Sequence, residues 1–560
     1  MHLQQDITTT NRKAVSSSMR QNKRWLIFLL FLVLIPKTSF AHAYITNSNP
    51  GENSELKQAP KQIEIEFNEQ IEEGFHSIKV YNSSGERVDA GKTVIQKNDA
   101  RIMTAALKKN LPHDIYRAEW NAVSADGHPV SGVIPFSIGK AGGELQEQTS
   151  SQAALHPEAA IDRGILYTAL SLFIGTAFFH LFWYRNNKDS SKAKRTVKLL
   201  VISLCVTGLA LICQLPIQTK ENAGGAWSAA FQPDYVKETL LKTAGGYVWM
   251  IQISLFILLA LSMIPLLKKK AFRSFAYWTA PLLFFFASLL AKAFAGHAAV
   301  IDEKAVGIAM DFLHLSAASV WMGGIAALVL LLSSEWRKTD KTIAWETVRR
   351  FSPWAFASVG VLLFSGVLNG FFIIRTFDSL FHTAYGKTLL LKIGLFVIML
   401  ALGAVHVWMT KFSRKRSISA TIKAEWALGI AVLFTTAVFT SLPSPPPPAP
   451  LPFNGSETIG NGETLSLHIT PNQPGKNEFQ VIVTDHNGSL VKDIQQFTVT
   501  VYQTGFSGKQ HESTFDLKKT KEGTFEAANL SITEKGNWKI KVHGLTNDFN
   551  EINQIFSTTN

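Results

Sequence analysis

The sequence predicts a multi-domain membrane protein in which two exported β-sandwiches flank an eight-helix transmembrane bundle. Three observations lead to this fold class. A short apolar segment follows positive residues near the N-terminus, eight apolar runs of about 20 residues fill the middle of the chain, and both flanks contain short alternating apolar and polar segments. With 560 residues the chain is also too long for a single hydrophobic core, so separate units are expected.

Residues 1–41 are predicted to be a cleaved signal peptide. Positive residues precede the apolar run 25–35, which is too short to cross a hydrocarbon core of ~30 Å. Small residues at the end of the segment favour cleavage after Ala41. His42 would then begin the mature protein and offer its α-amine and its imidazole Nδ1 to one metal ion. Alternatively, His42 merely lies beside a cleavage site.

Residues 42–139 are predicted to form the first exported β-sandwich. Short strand-like segments alternate with turns rich in Gly, Pro, Asn and Asp, as is typical of this fold; the clearest are Gln62–Phe67, His76–Tyr81 and Asp114–Trp120. In the turn after the last of them, Asp126 and His128 flank Gly127, which permits a tight bend. An amine, two imidazoles and a carboxylate suit Cu(II). The alternative is that the Asp-Gly-His sequence is only a turn.

This domain resembles the CopC family of exported copper-binding proteins. The resemblance is carried by His42-Ala-Tyr, Ser48-Asn-Pro, Ala59-Pro, Phe67-Asn-Glu and the longer motif Trp120–Gly132. It implies that the terminal His42 and, within the last motif, Asp126 and His128 bind Cu(II). Some family members add a methionine-rich Cu(I) site, but this domain contains only Met103, so no such site is expected.

After a linker at 140–160, residues 161–442 are predicted to form the membrane domain. Its eight apolar runs are 163–184, 196–216, 246–267, 274–294, 307–333, 353–374, 387–410 and 424–442. The loops on one side of the predicted membrane carry 19 Lys and Arg residues and those on the other side carry six. The positive-inside rule therefore places both terminal domains outside the cytoplasmic membrane, in agreement with the signal peptide. The net charge of +13 reflects this topology rather than nucleic-acid binding.

Polar residues within apolar spans are costly and are therefore functional candidates. A candidate copper path near the outer ends of the fourth and fifth runs comprises His297, Met310, Asp311 and His314. Imidazole and thioether groups bind copper, and thioethers favour Cu(I). Alternatively, Asp311 pairs with Lys292 or Lys392 and fixes helix packing. His180 and His406, near the inner ends, are interpreted as packing residues, with an exit site as the alternative.

The membrane domain resembles the CopD family of membrane copper proteins over residues 160–442. The matching motifs are Gly296-His-Ala, Asp311–His314 followed by Val320–Gly324, Ser365-Gly with Asn369, and Thr383–Lys392. A fusion of CopC-like and CopD-like parts with a C-terminal extension is similar to the YcnJ-like family, which implies a role in copper uptake.

A proline-rich linker at 443–455, predicted as polyproline II, leads to residues 456–560. These alternate as strands and predict the second exported β-sandwich. Pro471–Asn477 and Gly536–Trp538 resemble the YtkA-like domain. Its histidines are scattered through the sequence, so no metal site is assigned there.

The sequence therefore predicts a copper-acquisition protein and not an enzyme. Copper is the expected cargo, as Cu(II) in the exported domain and Cu(I) in the membrane domain, and the lipid bilayer and exported copper-delivery proteins are the expected partners. A nucleotide-binding loop is not found in the sequence, so neither nucleotide nor nucleic acid is an expected ligand. The alternative is a copper sequestration, resistance or sensing protein that binds copper without moving it. A membrane oxidoreductase is less consistent, because paired transmembrane histidines in a haem arrangement are not evident.

Overall fold

The computed structural model describes most of the chain in ordered segments. These are residues 43–51, 54–56, 58–125, 127–139, 157–184, 190–268, 272–294, 304–374, 376–412, 419–442, 445, 451–459, 462–473, 475–491, 493–504, 512–521, 523–532 and 536–559. All structural statements below concern these residues.

The N-terminal domain is a sandwich of two four-stranded sheets, as predicted. Its strands are β1 Ile45–Asn49, β2 Ser54–Leu56, β3 Gln62–Phe67, β4 Ser77–Asn82, β5 Val94–Gln96, β6 Asp99–Ala106, β7 Asp114–Val123 and β8 Pro129–Ile138. One sheet has the order β1-β3-β6-β5 and the other β2-β8-β7-β4. Apolar residues at alternate positions of β3, β4, β7 and β8 face each other in one buried core.

Ten α-helices follow in the described part of the chain. They are α1 Pro157–Phe178, α2 Ser190–Asn222, α3 Pro233–Lys242, α4 Ala244–Met263, α5 Thr279–Ala293, α6 Lys304–Leu331, α7 Thr342–Ile373, α8 Phe377–His382, α9 Ala384–Phe412 and α10 Ser419–Phe439. Within the described part of the chain, eight helices are long and apolar enough to cross a membrane: α1, α2, α4, α5, α6, α7, α9 and α10. The number matches the eight predicted runs.

Two of the spans are much longer than hydropathy alone predicts. The second predicted run, 196–216, lies inside α2, which has 33 residues, and all but the last residue of the sixth, 353–374, lies inside α7, which has 32. Both helices extend at their N-terminal ends through polar turns, because a polar turn that projects from the membrane still makes its intrahelical hydrogen bonds and can pack on neighbouring loops. At the start of α2, for example, Lys192 Nζ lies 3.1 Å from Glu335 Oε1 in a buried ion pair.

Helices α1 and α6 form the centre of the bundle, and glycines allow them to touch. A Cβ placed on Gly175 would lie 1.9 Å from the carbonyl carbon of Gly323, and one placed on Gly323 would lie 1.9 Å from Ser171 O. Backbone therefore meets backbone at this crossing, as small residues permit in membrane helices.

The C-terminal domain is one antiparallel sheet of eight strands. They are β9 Phe453–Ile459, β10 Glu463–Thr470, β11 Gly475–Thr484, β12 Ile494–Thr504, β13 Glu512–Lys521, β14 Thr524–Ile532, β15 Asn537–Thr546 and β16 Glu551–Thr559. The order is β16-β15-β12-β13-β14-β11-β10-β9. Phe453 of β9 and Phe556 of β16 have ring centroids 6.2 Å apart, so the sheet folds over on itself around a buried apolar core.

Candidate metal centres

The first centre surrounds the turn between β7 and β8. Gly127 has φ of +83°, a conformation that glycine adopts without steric cost. Backbone hydrogen bonds from Gly127 N to Ser124 O (2.8 Å) and from Ser124 N to His128 O (2.9 Å) close the turn. His128 is half-buried there, so its position is set by the backbone of the turn.

The residues that follow the predicted cleavage site are held against this same turn. Ala43 N donates to Ser124 Oγ at 3.4 Å, while the Ser124 hydroxyl donates to the Glu69 carboxylate. The next residue is fixed as well, since Tyr44 N donates to Asn68 Oδ1 at 2.7 Å. His42 and Asp126 themselves lie outside the described residues. These contacts place Ala43 beside the turn that carries His128.

Other residues of the long motif have a packing role. The Trp120 ring lies edge-on to Phe67 with centroids 5.3 Å apart. A Cβ on Gly132 would lie 2.8 Å from Trp120 Cζ2, so glycine is the residue that lets β8 pass over the indole. The motif therefore combines a core element with the turn that carries the candidate ligands.

The second centre lies between α6 and α7 in the membrane domain. Asp311 and His314 are one turn apart on α6 and contact two side chains of α7. Asn369 Nδ2 donates to Asp311 Oδ1 at 2.7 Å, and His314 Nδ1 lies 2.9 Å from Ser365 Oγ. The sequence placed Asp311 and His314 on one face; their α7 partners depend on how two helices align, which the spacing does not contain.

The hydrogen bonds of Ser365 fix the form of the His314 imidazole. Ser365 Oγ donates its only hydrogen to Val361 O, 2.6 Å away. It must therefore accept from His314, so Nδ1 carries the proton and Nε2 carries the lone pair. A histidine whose Nδ1–H is held by a second residue is the usual form of a metal ligand that binds through Nε2.

Of the two lysines proposed as alternative partners of Asp311, Lys392 is close enough to interact with its charge. Lys392 Nζ lies 5.5 Å from the centre of the Phe439 ring. Met310 is half-buried on α6, and His297 lies outside the described residues. Within those residues there is no group of three or more His, Cys, Asp or Glu side chains arranged to hold a metal ion.

The inner-end histidines are engaged with protein groups. His180 Nε2 lies 3.0 Å from Phe272 O, with the Phe272 ring 4.1 Å away between centroids. His406 Nδ1 lies 2.9 Å from Glu425 Oε2. Each of the two rings therefore contacts a protein group through one of its nitrogens.

A cavity of about 1000 Å³ joins the two centres. At one end it is lined by Ala125, Gly127 and His128 of the β-domain, and within the bundle by Asp311, His314 and Asn369, among others. The β-domain is docked above it by loop 72–75: Glu72 Oε1 accepts from Ala244 N (3.0 Å) and Gly74 N donates to Lys242 O (3.2 Å). The polar groups of both centres therefore face one continuous space.

Comparison with known protein families gives four matches along the chain. A CopC domain matches residues 45–139, a copper resistance protein D-like N-terminal domain 158–305, copper resistance protein D 345–439 and a YtkA-like domain 463–543. Their order is the one expected from the sequence motifs.

Individual relatives are similar to all or part of the chain. The copper transport protein CutJ of Bacillus subtilis is 68% identical over 542 residues, which cover 97% of this chain and 100% of CutJ. Copper resistance protein D of Pseudomonas syringae pv. tomato is 24% identical, covering 46% of this chain and 83% of its own length. The crystal structure of CopC from Methylosinus trichosporium OB3b covers 19% of this chain and all of its own, with 23% identity and a TM-score of 0.17. The protein is thus a multi-pass membrane protein, and it belongs to the family of copper transport proteins that join CopC, CopD and YtkA-like domains in one chain.

Proposed function

We propose that this protein acquires copper, capturing Cu(II) outside the cell and passing copper through the membrane domain into the cytoplasm. His42, Asp126 and His128 bind Cu(II) in the first exported domain (42–139). Asp311 and His314 then receive the ion in the membrane domain (161–442), with His297 and Met310 near its entrance. Both terminal domains lie on the outer side of the membrane, where the copper-delivery partners would be met.

The observation that supports this proposal most directly is the shared cavity. His128 lines its outer end and His314 its interior, so an ion that leaves the exported site enters the bundle without crossing the external solution. The two centres also differ in donor chemistry. The terminal amine, imidazoles and carboxylate suit Cu(II), whereas His314 offers one oriented Nε2 lone pair and remains accessible from the cavity.

A second candidate function is copper resistance by sequestration. It is favoured by the similarity to two proteins of Pseudomonas syringae pv. tomato that are named copper resistance proteins C and D. In that case copper would bind at the exported site. The membrane domain would anchor the exported domain or sense the bound copper. The two functions differ in the direction of the change in cellular copper when the protein is removed.

Whole-cell copper content tests the proposal. Cells that lack the protein, grown with limiting copper, should contain less copper than cells that express it. Expression of the His128→Ala variant should fail to restore the content, whereas His113→Ala, at an exposed histidine of the same domain, should restore it fully. Acquisition would be refuted if cells with and without the protein contained equal copper under limitation. Sequestration would be supported if, in addition, the cells that lack the protein contained more copper in excess copper.

A further inference from the structure

Two methionines face the inner part of the cavity. Met322 lies on α6 and Met399 on α9; they are 5% and 0% exposed to solvent, and both line the cavity. Each lies near the middle of a helix that spans the membrane, since α6 comprises Lys304–Leu331 and α9 comprises Ala384–Phe412. The pair is therefore placed at about the centre of the bilayer.

The two side chains meet over a glycine of a third helix. A Cβ on Gly429 of α10 would lie 2.0 Å from Met322 Cε, 2.5 Å from Met322 Sδ and 3.3 Å from Met399 Cε. The Met322 thioether therefore occupies the space that any other residue at position 429 would fill. Gly429 brings the two thioether ends together from helices that are separate in sequence.

Helix geometry connects this pair to the outer centre. Met322 follows Asp311 by 11 residues, about three turns, so the two lie on nearly the same face of α6 about 16 Å apart. On α9, Met399 follows Lys392 by seven residues, about two turns, and again shares its face. One strip on each helix thus runs along the cavity from charged groups outside to thioethers at the centre.

The chemistry of the pair selects one form of the ion. Thioether sulfur is a soft, neutral donor that favours Cu(I) over Cu(II), and it adds no charge to the bilayer centre, where a carboxylate would be costly. Methionine also serves as a flexible filler in cores. A filler, however, would occupy closed space, whereas these two side chains border a large cavity that also reaches His314 and His128.

We propose that Met322 and Met399 form a two-thioether site for Cu(I), about 12 Å deeper than His314 along α6. The inference deepens the proposed function, on which it rests, by naming a second position on the copper path and the oxidation state held there. The thioethers bind copper that is already monovalent, so an ion captured as Cu(II) must first gain one electron from an external one-electron donor, such as a thiol or a membrane quinol, which is oxidised in that step.

The test uses the purified full-length protein with Ag(I), a soft monovalent ion, and with Cu(I) under anaerobic conditions. Leucine has nearly the volume of methionine, so Met322→Leu, Met399→Leu and the double variant should fold. The double variant should bind one Ag(I) fewer per chain, and sulfur neighbours should disappear from the X-ray absorption spectrum of bound Cu(I). The matched control is Met263→Leu, a buried methionine of α4 that does not line the cavity. It should bind like the unmodified protein.

A second variant moves the ligand without removing any sulfur. Gly429→Ala displaces Met322 and should weaken Ag(I) binding about tenfold or more. Gly394→Ala, on α9 with nothing within 4 Å of its Cβ, should not. Unchanged stoichiometry and sulfur coordination in the double leucine variant would overturn the proposal, as would unchanged affinity in Gly429→Ala.

The cellular experiment separates this inference from the proposed function. If cells without the protein keep their normal copper content while the purified protein loses an Ag(I) site in the double variant, acquisition is refuted and the thioether site stands. If removal of the protein lowers cellular copper but the double leucine variant binds and accumulates copper normally, acquisition stands and the thioether site is refuted.

Discussion

The hydroxyl of Ser365 allows a sharp test of His314 as a ligand, because it acts on the metal only through the imidazole. In Ser365→Ala the acceptor that holds His314 Nδ1–H, 2.9 Å away, is lost. The ring can then rotate or change tautomer, and Nε2 no longer points reliably into the cavity. The stability of α7 should change little, since the Ser365 hydroxyl only adds a second hydrogen bond to Val361 O.

The size of the effect follows from the role of such partners. Loss of a residue that orients a metal-binding histidine weakens binding about 10–100-fold, which corresponds to about 1.4–2.8 kcal/mol. We therefore expect the initial rate of copper accumulation at limiting copper to fall by about that factor. The rate should recover toward normal at high copper, because the ligand itself is still present.

The assay is the initial rate of copper accumulation in cells that express equal amounts of protein, measured over a range of copper concentrations. Ser352→Ala is the matched control, because Ser352 lies on the same helix and makes the same type of bond to Val348 O (2.9 Å). An unchanged rate at limiting copper in a normally expressed Ser365→Ala strain would refute the role of the oriented imidazole. An equal loss in Ser352→Ala would point to helix stability instead.

Two further predictions concern processing and packing. N-terminal sequencing of the mature protein should read His-Ala-Tyr-Ile, because cleavage after Ala41 gives His42 its free amine; a start at any other residue contradicts the predicted Cu(II) site. Gly323→Ala should lower the abundance and the detergent Tm of the protein, since its Cβ would lie 1.9 Å from Ser171 O. Gly360→Ala, which meets nothing within 4 Å, should leave both nearly unchanged, and equal behaviour of the two variants would contradict the close contact of α1 and α6.

The strands and spans could be predicted because their periodicity is local. The segment Gln62–Phe67 alternates apolar and polar residues, and the structure has β3 at the same residues because each apolar side chain enters one core. The eight spans follow from runs of apolar residues that only a bilayer or a large core can bury. Their ends could not be predicted as well, since the first turns of α2 and α7 are polar and are fixed by contacts outside the apolar window.

The candidate sites were only partly predictable, for a different reason. The spacing of Asp311 and His314 places them on one helix face, and this follows from helix periodicity alone, independent of how the other helices pack. Their contacts with Asn369 and Ser365, and the meeting of Met322 with Met399, depend on the alignment of different helices. A single sequence does not record that alignment. Asn369, which binds one oxygen of Asp311, was not among the predicted partners, because an uncharged amide on another helix gives no signal in the charge pattern.

The contact of Gly175 with Gly323 implies that the helices of the bundle differ in how easily they can be displaced. The spans of α1 and α6 are each 61% buried, whereas that of α9 is 6% buried. Moving α1 away from α6 would break a continuous backbone contact, while α9 can exchange its neighbours for lipid chains of similar polarity at small cost. Because Met399 and Lys392 lie on α9 and Met322 and Asp311 lie on α6, a displacement of α9 would separate these groups at a smaller cost than a displacement of α1 from α6.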